Sequence, residues 1–111
     1  MRFLLDASVP DDVAAAFVEA GHKVERVEAD VLAAAVLAQA EPVTADRAVS
    51  EAATAADLPG RVLVFVQSPE PAGVTRLFAR FKRLTPGRRY TVTSSKPKVG
   101  QLPNGLADRP A

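Results

Sequence analysis

Cysteine is absent from this chain, tryptophan too, and there is a single histidine, a single tyrosine and a single methionine. With no thiol there is no disulfide, no thiolate metal site and no cysteine nucleophile, which fits a reducing compartment. His22 is the sole imidazole, so a Ser-His-Asp triad has one candidate base and a two-histidine metal site within one chain is ruled out. Any metal would be held mainly by oxygen. No apolar run approaches the roughly 18 residues of a membrane span, and the amino terminus lacks the charged-then-apolar layout of a secretion signal, so a cytoplasmic location with no membrane partner is expected. Aromatic residues are only 5% of the chain, leaving few rings to stack on nucleic-acid bases.

What is present is an uneven charge. Through Gly60 the chain carries four Lys and Arg against eleven Asp and Glu, a formal −7; from Arg61 onward it carries ten against two, a formal +8. A near-neutral total of +1 therefore hides an acidic cluster beside a basic surface, a layout suited to a metal ion and a polyanion, or to a dipolar partner-binding face. The Ala-, Arg- and Val-rich composition suggests a GC-rich bacterial genome. At 111 residues the chain makes one domain, large enough to bury about two-thirds of its unfolded surface without staples.

Strand and helix patterns alternate along it. Phe3–Leu4–Leu5 is apolar at successive positions, the habit of a strand covered on both faces. Pro10 and the acids Asp11 and Asp12 open a helix, with Val13, Phe17 and Val18 as its apolar stripe and Gly21 as its stop. His22 falls in the turn, where a local hydrogen bond is its expected role, and Val24 and Val27 belong to a short second strand. "ADVLAAAVLAQA" is a strong helix with Asp30 as N-cap and Leu32, Val36 and Leu37 as its buried stripe. Pro42–Val43–Thr44 is a third strand, "DRAVSEAATAAD" a third helix and "RVLVFV" the clearest strand. "VTRLFARFKRL" places Val74, Leu77, Phe78 and Phe81 on one helical face. "RRYTVTS" reads as a last full strand, with a short edge strand at Val99–Leu102. The alternation predicts an α/β fold of three layers, α/β/α, around a central, mostly parallel sheet. The domain is expected to span 1–103, with 104–111 as a flexible tail.

In such a fold Asp6, after the first strand, and Asp46, after the third, leave the sheet at the same edge, where open α/β sheets bind ligands. With a third acid from Asp30 or Glu28 they would make an oxygen-rich site for Mg²⁺ or Mn²⁺, able to activate water at a scissile phosphate. Capping is a complete structural alternative for Asp30 and Asp46, since each directly precedes a helix. The basic set Arg76, Arg80, Lys82, Arg83, Arg88 and Arg89 would hold RNA phosphates.

"MRFLLDASVP", "AGHKVERV" and "PVTADRAV", with the later "GRVLVFV" and "GRRYTVTSSKPKVGQLP", make the chain resemble the PIN-like family, which includes the small DUF5615 proteins and the carboxy-terminal domain of Mut7-type nucleases. The resemblance covers about residues 1–103. Members typically have a leucine-rich first strand ending in Asp, a Gly-His-Asp-Val turn, and Thr-x-Asp-x-Asp-Phe after the third strand. Carried across, it implies Asp6, Asp46 and Asp30 as catalytic and Mg²⁺- or Mn²⁺-binding residues, with Thr44 supporting Asp46. The second Asp of the Thr-x-Asp-x-Asp pattern is Ala48 here, for which Glu51, one helical turn on, is the candidate substitute, and Ala7–Ser8–Val9 replaces a polar-leucine stretch. The implied activity is that of a metal-dependent endoribonuclease cutting single-stranded RNA, often the toxin of a bacterial type II toxin–antitoxin pair, with an antitoxin protein and a second copy as further partners. The apolar helix Val31–Ala40 suits either a dimer interface or the core. The rival reading is a catalytically weakened relative that binds RNA or a protein partner. A classical nucleotide-binding fold is disfavoured by the absence of GxGxxG and P-loop patterns, and a phospho-acceptor domain by the placement of the acids.

Overall fold

The computed structural model describes residues 1–28, 30–55, 58 and 60–102, of 54 and 55 the backbone only. The expected tail, 104–111, lies outside the described residues. The elements are β1 (Arg2–Leu5), α1 (Asp11–Glu19), β2 (Lys23–Arg26), α2 (Val31–Ala38), β3 (Glu41–Thr44), α3 (Arg47–Ala55), β4 (Leu63–Val66), α4 (Pro71–Arg80), β5 (Arg88–Val92) and β6 (Lys98–Gln101). They make an α/β domain with one six-stranded sheet in the order β2-β1-β3-β4-β5-β6, all parallel except the β5–β6 pair. No helix among the described residues is long and apolar enough to cross a membrane.

Both faces of the central strands are packed, which is why they read as unbroken apolar runs. Phe3, Leu5, Val43, Val64 and Val66 meet α1 and α4 through Val13, Phe17, Val74 and Leu77. Leu4 and Leu63 point the other way, into a smaller core with Val31, Leu32 and Ala35 of α2 and Ala53 of α3. Thus α1 and α4 share one face of the sheet, and α2 and α3 the other. From β3 to β4 and from β4 to β5 the chain steps in the same direction across the sheet, yet α3 and α4 lie on opposite faces. The β4–α4–β5 crossover is therefore opposite in hand to the other three, a rare departure from the uniform handedness of parallel crossovers. Its consequence is spatial: with α4 on the α1 side, no described helix covers β5 and β6 on the α3 side.

The switch of faces needs a close approach. Gly73, in the first turn of α4, is buried against the end of β5; a Cβ there would stand 2.5 Å from Val92 Cγ1 and 3.1 Å from the Thr93 carbonyl oxygen. Any larger residue would have to push the helix off the strand. Arg76, one turn on, fastens the same junction from outside by donating from Nε to the Ser95 carbonyl (2.8 Å) and from Nη2 to that of Thr93 (3.0 Å).

Several expected details change. α4 starts earlier than the apolar period indicates, because Pro71 is pre-set for a first helical turn, and it ends at Arg80 with Phe81 extended, so Lys82 and Arg83 lie beyond the helix. In α1, Val18 is exposed, and in α2 the buried residues are Val31, Leu32 and Ala35, leaving Val36 and Leu37 exposed, Leu37 at 87%. An eight-residue helix that is apolar all round carries no periodic signal to choose its inner face; the Asp30 cap and the contact of small Ala35 with the sheet choose it.

Candidate functional site

Strand order reverses between β1 and β3, so the chain leaves these neighbours toward opposite faces and opens a crevice at their carboxyl ends. Asp6 and Thr44 stand on either side of it. Asp6 Oδ2 accepts from Thr44 Oγ1 at 2.5 Å, and Oδ1 accepts from the Ser8 amide at 3.0 Å and from the Ser8 hydroxyl. Thr44, fully buried, accepts the Asp46 amide at 3.0 Å, while Ser8 Oγ accepts the Ala45 amide at 2.8 Å. One carboxylate and two hydroxyls thereby tie the exits of β1 and β3 together.

Asp46 leaves this knot as a helix start: its Oδ1 accepts the Ala48 amide at 2.8 Å and its carbonyl the Ser50 amide at 3.0 Å. Asp30 caps α2, accepting the amides of Leu32 at 3.0 Å and Ala33 at 3.3 Å. The third acid is thus spent on its own helix. Glu28 lines a separate depression with Asp11 and Arg26, and Arg26 is held by the Asp6 carbonyl at 2.9 Å and Asp11 at 2.7 Å. Glu51 lines a different cavity again, over the sheet. Among the described residues no three acidic or imidazole groups come together as a metal set. Both Asp6 oxygens and one Asp46 oxygen accept from protein donors, so with Asp30 on its own helix a Mg²⁺ or Mn²⁺ ion, which one or two carboxylates and several waters can hold, would have at most the Asp6 and Asp46 carboxylates.

The basic residues expected on one RNA surface divide between the two sides of the sheet. Arg76 is a strut, as described. Arg80, exposed, lies over Phe81 with its Cζ 5.6 Å from the ring centroid, and Lys82 and Arg83 are exposed just beyond α4. On β5, side chains alternate: Tyr90 and Val92 enter the α1–α4 core, which puts Arg88 on that side and Arg89 on the other. Arg89 is joined there by two residues that sequence reasoning missed, Arg47 and Lys98. They line a cavity of about 390 Å³ with Ser50, Glu51, Phe65, Gln67 and Thr91, on the face of β4–β6 that no described helix covers. Lys98 is directly across from Thr91, and Gly100, across from Arg89, adds no side chain. Arg47 Cζ stands 5.5 Å from the Phe65 ring centroid, so the guanidinium rests on an apolar floor. The period-two alternation of "RRYTVTS" was the signal that would have separated Arg88 from Arg89.

His22 makes the local contact expected, and more. Its Nδ1 accepts from the amino-terminal ammonium at 3.1 Å, and its ring packs on Phe78 (centroids 4.4 Å apart) and edge-on to Phe3 (5.3 Å). Burial, and then the adjacent ammonium, lower its pKa below 6.5. The folded protein therefore prefers neutral His22; stability is complete above the unfolded value and is lost as pH falls through the lowered folded one. Urea midpoints at pH about 7.5 and about 5.5 should differ less in His22→Phe than in the parent, since the substitution removes the titrating group. An unchanged pH difference would contradict this.

Comparison of the chain with protein-family models, with curated proteins and with solved structures yields no match.

Proposed function

We propose that this protein binds single-stranded RNA on the face of β4–β6 that no described helix covers and acts as a binding module, the weakened form of the PIN-like class that the sequence resembles. The observation that carries the reading is the cavity in which Arg47, Arg89 and Lys98 converge from a helix and two strands. Cations gathered on a strand surface favour a phosphate backbone by releasing its counterions. A sheet face with no described helix over it suits an extended strand, and Phe65, Thr91 and Gly100 keep its floor low. The acidic edge contributes structure: its carboxylates bind amides and hydroxyls of the protein itself.

The test is fluorescence anisotropy with a labelled single-stranded RNA across a range of salt. Binding at roughly 10⁻⁵ M near physiological ionic strength is expected, weakening linearly in log–log form as salt rises. Arg47→Ala and Lys98→Ala should each lower the slope by about 0.7, whereas Arg2→Ala, on β1 beside the opposite edge strand of the sheet, should not. Salt-independent binding, or binding indifferent to Arg47 and Lys98, would refute the reading.

The tie between Asp6 and Asp46 through Thr44 favours a second reading, a metal-dependent endoribonuclease centred on that pair, in the cytoplasm of a bacterium and paired with an antitoxin. Incubating the same RNA with the protein and Mn²⁺, beside EDTA and beside Asp6→Asn and Asp46→Asn, separates the two. Cleavage lost in both variants and in EDTA selects the nuclease, and intact RNA selects the binding module.

A further inference from the structure

The basic cavity contains one group that a simple phosphate track does not account for. Glu51, four residues after Arg47, is exposed on the same side of α3 and lines the same space as Arg47, Arg89 and Lys98. A carboxylate beside a phosphate path costs affinity unless the ligand brings hydrogen-bond donors to it. Resting on the RNA-binding reading, we infer that the cavity takes a guanine nucleotide unit, with its phosphate toward Lys98 and Arg47 and its base edge on Glu51.

The selection of guanine follows from donor counting. An ionised carboxylate only accepts, and it has two oxygens side by side. On the pairing edges of single-stranded bases, adenine and cytosine each offer one amino group next to a ring acceptor, and uracil offers one N–H between two carbonyls. Guanine alone offers two adjacent donors, N1–H and the 2-amino group, to match both oxygens. Each of the other bases would bring at least one acceptor against the carboxylate. The dimensions agree as well: β6, which carries Lys98, and β4, which lies beside α3, are two strand spacings apart, roughly 10 Å. That distance is comparable with the reach from a nucleotide's phosphate to its base edge. The cavity's 390 Å³ is within the range of small-ligand sites.

The experiment compares the whole chain and its Glu51→Gln variant on four probes: an adenine-rich single-stranded RNA carrying one guanosine, the same RNA with inosine at that position, the same with uridine, and free GMP. Inosine keeps N1–H and loses the 2-amino group, so it isolates the second hydrogen bond. Guanosine RNA should bind about tenfold more tightly than either substituted RNA. Glu51→Gln should abolish that preference, the guanosine, inosine and uridine RNAs then binding alike. Glu51 is exposed, so the variant folds as the parent does. GMP binding as tightly as the guanosine RNA, and equally weakened in Glu51→Gln, supports the site with a free nucleotide as its source. RNA binding with no guanosine preference, or with a preference that persists in Glu51→Gln, overturns the inference while leaving the RNA reading standing. Absence of binding to every RNA and to GMP overturns both.

Discussion

Replacing Glu41 by Ala will cost this protein about 3 kcal/mol of stability, read as a lowered urea midpoint at unchanged slope. Glu41 is the first residue of β3 and only 8% exposed, deep in the end of the sheet opposite the candidate site. Its Oε1 accepts the amide of Val62, itself fully buried, at 2.8 Å, and its Oε2 accepts from Arg61 Nη1 at 3.0 Å. The carboxylate thus joins the entry of β3 to the residues that lead into β4. Truncation leaves two losses together: a buried amide without an acceptor, worth about 1–3 kcal/mol, and an arginine beside the core without its counter-charge. Arg61 keeps 22% of its side chain in water, which holds the total at the lower end of the range for broken buried pairs. Glu41→Gln is the informative partner, because its amide oxygen still serves Val62 while the charge is gone; about 1 kcal/mol is expected. Equal losses in the two variants would mean that the ion pair, and not the amide contact, carries the stabilisation. A loss under about 0.5 kcal/mol in Glu41→Ala would refute the account.

Asp6→Ala is expected to cost about 2 kcal/mol, since hydrogen bonds to a charged group are worth roughly 1.5–3 kcal/mol and the Thr44 donor is fully buried. Asp6→Asn should cost less. The Asn oxygen can replace Oδ1 as acceptor for Ser8, but its amino group faces Thr44, whose hydroxyl then has to turn its proton toward Ser8 Oγ, 3.4 Å away. The ranking parent, Asn, Ala in thermal midpoint is the signature of a structural carboxylate. Added Mn²⁺ discriminates further without any assay of cleavage. A ligand that binds only the folded state raises the midpoint, and a carboxylate committed to protein donors gives no such rise. A Mn²⁺-dependent rise in the parent that disappears in both Asp6→Asn and Asp46→Asn would overturn the structural role and support the nuclease.

Such contrasts turn on features of very different legibility. Asp30 is a cap by local chemistry alone: an Asp before an apolar helical run accepts the free amides that follow it, and the structure bears this out. The exit of β1 at Asp6 was equally readable, because the apolar run ends there. Glu41 was not, because a carboxylate beside a strand proline reads as surface until the partner strand's amide and Arg61 are brought to it from twenty residues away. Val36 and Leu37 misled for a related reason, since a uniformly apolar helix has no phase.

By itself the sequence determined the alternation of strands and helices, the α/β class, the absence of thiol chemistry and the segregation of acids from bases. All of these are written in local periodicity, capping and composition, which act over a few residues. Only the tertiary structure decided the strand order, the face that α4 covers, and hence that Arg47, Glu51, Arg89 and Lys98 share one cavity while Arg88 lies behind the sheet. The contacts that accompany that placement, such as Gly73 against Val92, join residues that are distant in the chain and carry no periodic mark of each other.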